Sequence, residues 1–215
     1  TEIYTLSLHD ALPIYRGGAA ARRRVSAGER REVLERFLEE LRAEFPRFRV
    51  IEKRTSPLSK LIDVALKILT LGGQRHYLTR YYTVLGDRLY VPDGWRSVDP
   101  IDAVITLRHE RIHLRQRRRY TLPGMALIYL LWPLPLGLAY GRARIEWEAY
   151  TETLRAIHEL RGEDALRSRA LRRRIVEQFT SAAYGWMWPF RASVERWYDE
   201  AVEAIVAERA RGAER

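Results

Sequence analysis

The sequence predicts a predominantly helical α+β domain. Three observations carry this. Apolar residues recur at helical spacing over much of the 215-residue chain. Two short runs rich in Tyr, Thr and Val flank Gly86-Asp87, the pattern of a β-hairpin. The stretch from Tyr120 to Gly141 carries no charge and is interrupted by Pro123, Pro133 and Pro135. A chain with 47% hydrophobic and 31% charged residues has the composition of a folded protein, and its length suffices for one domain with a real core.

The elements follow in order. Thr1 to Tyr15 does not read like the rest and is similar to translated sequencing-adaptor sequence. It also lacks the basic-then-apolar order of a signal peptide. Residues 16–25 form a basic, small-residue lead-in, so 1–25 are expected to stand outside a single domain spanning 26–215. Ser26-Ala27-Gly28-Glu29 is a capping box. It opens a helix whose stripe is Val33, Leu34, Phe37, Leu38, Leu41 and Phe45, stopped by Pro46. Arg47 to Lys53 predicts a short strand. Ser56-Pro57 starts a second helix, with Leu58, Leu61, Ile62, Ala65, Ile68 and Leu69 as its apolar face and Gly72-Gly73 as its end. The hairpin occupies Leu78–Leu85 and Arg88–Val91.

Asp99-Pro100 then supplies an N-cap and a proline at the first helical position. The helix it opens carries Ile101, Val104, Ile105, Arg108, Ile112 and Leu114, and is expected to close on the cations Arg115–Arg119. Beyond the apolar segment the pattern predicts helices over about 142–160, 164–179 and 191–211.

The motif that carries chemistry is His109-Glu110-Arg111-Ile112-His113. On a helix, residues i and i+4 share a face, so both imidazoles can reach one metal ion. Glu110 stands one residue round, where it can reach a water rather than the metal. This is the H-E-x-x-H pattern of zinc hydrolases, with the glutamate as general base. A catalytic zinc needs a third protein ligand. The chain has no cysteine, so the candidates are His, Asp or Glu, and the nearest good ones are Glu146 and Glu148.

Taken together, the motif and the later run Glu146-Trp147-Glu148-Ala149-Tyr150 resemble the gluzincin branch of the zincin metallopeptidases. There a second helix carries Glu-x-Glu-Ala-Asp, and its first glutamate is the ligand. The resemblance covers about residues 80–155 and implies a small zincin-like domain. It also implies Zn²⁺ held by His109, His113 and Glu146, and a peptide or protein substrate laid along the upstream hairpin. Helical faces favour the same glutamate: Glu146 shares its side with Ala149, Tyr150, Thr153 and Ile157, whereas Glu148 lies with Thr151, Glu152 and Arg155. Two departures stand out. Arg111 occupies a position that zincins keep uncharged, and Tyr150 replaces the Asp. Among the dense aromatics of 182–190, Tyr184 is a candidate donor to a developing oxyanion, with His158 a second.

The apolar segment 120–141 is long enough to span a membrane. A single crossing would part His113 from Glu146 by a hydrocarbon layer of about 30 Å. A proline-rich hairpin is therefore expected, packed on the protein's own core or dipping into one leaflet. The formal net charge is +10, and only Lys53, Lys60 and Lys67 among 38 basic residues are lysine. Such a surface attracts anions, but no zinc-finger, RRM or KH signature marks nucleic acid as a partner. A cytoplasmic protein, peripheral to membrane if segment 120–141 reaches one, is the expectation. The rival readings are a non-catalytic basic module that associates with membrane, and a degenerate zincin fold used for binding.

Overall fold

A computed structural model describes residues 6–7, 26–69, 78, 82–130, 140–181 and 187–213. The chain divides into two compact units, Thr1–Leu114 and Arg115–Arg215. The α+β, mostly helical class read from the sequence is the one observed.

The first unit opens with β1 (Leu6–Ser7), which falls within the segment set aside from the fold and pairs antiparallel with β3 (Tyr82–Leu85). Helix α1 (Ala27–Glu44) begins at the expected capping box: Glu29 N–H donates to Ser26 Oγ at 3.2 Å and Ser26 N–H to Glu29 Oε2 at 2.7 Å. Strand β2 (Arg49–Glu52) leads through a 3-10 turn (Lys53–Thr55) into α2 (Pro57–Leu69). Ser56 caps α2 by accepting from Ser59 N–H. Strands β3 and β4 (Arg88–Val91) form the hairpin around Gly86-Asp87, with Gly86 at a φ of 66° that suits glycine. β2 adds to β4 in parallel, so the sheet order is β1-β3-β4-β2.

Helix α2 corrects the sequence reading. Leu61 was expected on its inner face but is 66% exposed, and Val64 is 52% exposed, while Ser59, Ile62 and Asp63 are buried. Ser56, Ser59 and Asp63 form a second, polar stripe at helical spacing. Ile62 is buried on the same side, and Asp63 is one of the two carboxylates whose charge acts on the buried Lys53 ammonium.

Helix α3 (Pro100–Leu130) is a second correction. It does not end on the arginines at 115–119 but continues through Pro123. A proline there removes the hydrogen bond to the carbonyl of Arg119. Yet Met125 to Leu130 are mostly good helix formers, and the backbone stays helical through them. Residues 131–139, the second half of the anticipated apolar hairpin, lie outside the described residues. Among the described residues, no helix is long and apolar enough to cross a membrane. Near its start α3 is buried all round, from Asp102 to Leu107, which makes it a central helix of its unit rather than a surface one.

In the second unit α4 (Tyr140–Arg161), α5 (Glu163–Leu166), α6 (Arg169–Thr180) and α7 (Arg191–Ala213) complete the chain. The single helix expected over 164–179 is two, parted at Arg167-Ser168. Trp147, Phe179 and Trp197 meet edge-on or tilted, with centroids 5.7 to 6.4 Å apart. Tyr198 donates its hydroxyl to the Leu166 carbonyl at 2.6 Å and ties α7 to α5.

Candidate metal centre

The helix that carries the motif is fixed at its start. Asp99 accepts from Ile101 N–H at 3.0 Å through its side chain, and Arg30 of α1 donates to the same carboxylate at 2.8 Å. Two turns on, His109 and His113 are both buried. Their Nε2 atoms stand 3.2 Å apart, with ring planes at 72°. Two ligands about 2.05 Å from a zinc at the tetrahedral angle would lie about 3.3 Å apart, so the pair already has the edge length of such a site. Without a metal, one imidazole must donate its proton to the other.

Glu110 is buried beside them. Its charge is felt by two buried groups of the same unit. Burial pushes the Lys53 ammonium down to about 7, opposed by the carboxylates of Glu110 and then Asp63. Tyr82 on β3 is pushed up, by burial first and then by Glu110 and Asp102, so its hydroxyl keeps its proton. The sequence reading missed Lys53. Two signals were available: it is one of three lysines in an arginine-rich chain, and it precedes the Ser56-Ser59-Asp63 stripe.

Arg111, the charge out of place inside the motif, points to α1. Its Nε donates to Glu44 at 2.6 Å, and its guanidinium lies 5.6 Å from the centroid of Phe37. The i+2 position therefore serves the packing of α1.

On α4, Glu146 is buried and Glu148 exposed. Two residues apart on a helix, their side chains diverge by about 200°. Glu148 accepts a 2.9 Å hydrogen bond from Gln116 Nε2, which also donates to the Ile145 carbonyl at 2.9 Å. Gln116, three residues beyond His113, thus holds both the backbone next to Glu146 and the side chain of Glu148. Among the described residues, His109, His113 and Glu146 form a group able to hold a metal ion: one ligand atom from each lies within 4.8 Å of the others, and all three residues are buried. Two nitrogens and one carboxylate oxygen make a donor set that suits zinc and leaves a fourth position open.

Tyr150, standing where the resemblance has Asp, packs its ring 5.4 Å from that of Phe179 and is partly buried. Tyr184 lies outside the described residues. His158 is on α4, three turns beyond Glu146, and partly exposed. Comparison with protein-family profiles, with curated proteins and with solved structures found no match to this chain.

Proposed function

We propose that this chain is a zinc-dependent metallohydrolase, a peptidase, in which His109, His113 and Glu146 hold Zn²⁺ and Glu110 is the general base. The observation that supports it most is the buried histidine pair with its 3.2 Å nitrogen separation, one turn apart on a continuous helix and grouped with one buried carboxylate. When bound, the metal supplies a Lewis acid that polarises a carbonyl and brings the pKa of water down toward about 7.

The rest is the work of this chain's residues. Glu110, buried and held on rigid helix backbone, takes a proton from the attacking water and passes it to the leaving amine nitrogen. Lys53 lies in the same buried region, where the carboxylates of Glu110 and Asp63 oppose the loss of its proton that burial favours. Tyr82, protonated throughout the neutral range, is a buried hydroxyl on β3. Both hairpin strands are flanked, β3 by β1 and β4 by β2, so the expected pairing of substrate with the hairpin has no open edge among the described strands. The lack of cysteine fits a reducing, cytoplasmic setting.

Purified protein is expected to carry one zinc per chain by elemental analysis and to cleave an unstructured protein such as casein, with 1,10-phenanthroline stopping the cleavage. Glu110→Gln retains the zinc and loses about 10² to 10⁴ in rate. Full activity in that variant overturns the general-base role, and wild-type protein that takes up no zinc overturns the metal.

A further inference from the structure

The second unit contains a pocket of about 590 Å³ that the metal chemistry does not use. Its lining includes Arg119 near the middle of α3, and Arg144, Glu148, Thr151 and Arg155 along one side of α4, with Trp147 in its wall. The volume is that of a ligand site rather than a packing flaw.

The charge is unbalanced. Three guanidinium groups face one carboxylate, and that carboxylate is engaged by Gln116. Arg155 meets Glu208 only at 3.6 Å, with both side chains about half exposed. Arg119 and Arg144 have no carboxylate partner among the described residues. Arg119 lies 5.4 Å from the Tyr120 ring centroid and Arg144 5.9 Å from that of Trp197. Such stacking pre-orients a guanidinium while leaving its N–H edge free for an incoming anion.

We infer that this pocket binds an extended acidic segment of polypeptide. Arg144 and Arg155 are eleven residues apart on α4, about 16 Å along the helix, which matches about five residues of extended chain. A single small anion would meet only one or two of the arginines. Glu148 and Thr151 add acceptor oxygens at the same surface. Peptide N–H groups can donate to these, whereas a phosphodiester backbone has no donor to offer. Arg144, Glu148, Thr151 and Arg155 lie on the side of α4 turned away from Glu146, so the site holds its ligand apart from the metal residues. It stands whether or not the chain is a hydrolase.

The test uses full-length protein in EDTA, so that metal plays no part, and a fluorescein-labelled heptaglutamate read by anisotropy at low salt. Saturable binding at one peptide per chain is expected. Arg144→Ser/Arg155→Ser weakens it about tenfold or more, and Arg119→Ser about threefold. Arg173→Ser/Arg209→Ser removes the same charge from exposed positions elsewhere in the unit and changes affinity less than twofold. Equal weakening by both double variants would show general attraction to a basic protein and overturn the inference. So would the absence of saturable binding, or tighter binding of a DNA duplex or of phosphatidylserine vesicles than of the peptide. All the altered side chains are exposed, and an unchanged circular dichroism melt checks that each variant is folded.

Discussion

Lys53 makes the pH dependence of stability calculable. Its amine sits wholly buried at the turn between β2 and α2, and burial lowers its pKa from 10.5 to about 7. In the unfolded chain it returns to about 10.4. Between those values the unfolded state holds a proton that the folded state has released. Unfolding free energy therefore rises with pH across this window, by at most about 1.4 kcal/mol per unit. Below about pH 7 both states are protonated, and this group contributes no slope. From about pH 7.5 to about pH 9 the gain integrates to about 2 kcal/mol. That interval stops short of the range in which Tyr82 and Tyr198, both pushed up by burial, would keep protons in the folded state and reverse the trend. Urea unfolding followed by circular dichroism in EDTA, at several pH values, measures the slope directly. Lys53→Met should flatten the curve over the interval, whatever it does to stability at any one pH. An equal rise in Lys53→Met and wild-type protein, or no rise in either, would refute the assignment of a depressed lysine.

Further outcomes follow from single contacts. His113→Ala and Glu146→Gln should each lower bound zinc well below one per chain, whereas Glu148→Gln should retain it; elemental analysis after gel filtration tells them apart. Tyr198→Phe removes a buried hydroxyl from the Leu166 carbonyl and should cost about 1 to 2 kcal/mol in chemical denaturation. Ser26→Ala breaks the capping box of α1 and should cost about 1 kcal/mol by the same assay. Arg111→Ala should leave zinc content unchanged while lowering the melting temperature, because its partners Glu44 and Phe37 belong to α1.

Periodicity accounts for what was legible. The i, i+4 spacing alone puts two imidazoles on one face of a helix, and a separation of two residues alone puts Glu146 and Glu148 on different faces. The capping box at Ser26 and the hairpin at Gly86-Asp87 are local, so a few residues suffice to read them. Helix α2 shows the limit. Its sequence carries Leu61 and Val64 on one side and Ser56, Ser59, Ile62 and Asp63 on another, and nothing local says which faces inward. The buried side carries Asp63, which acts on Lys53, a residue whose burial only the assembled unit creates. Pro123 was over-read for a related reason: a proline's cost is local and the helix around it is long, so the chain forgoes one hydrogen bond and continues.

The parallel pairing of β2 with β4 also bears on synthesis. Arg49 finds its register partner at Arg88, roughly forty residues later, with all of α2 in between. A hairpin closes as soon as its second strand emerges, but this pair cannot. A chain leaving the ribosome must hold Arg49–Glu52 with neither edge paired until the hairpin strand arrives. Through that interval Leu61 and Val64 are exposed as they are in the finished fold. The nascent chain is therefore most open to chaperone capture, and to pairing with a neighbour on the same polysome, before residue 91 has cleared the exit tunnel.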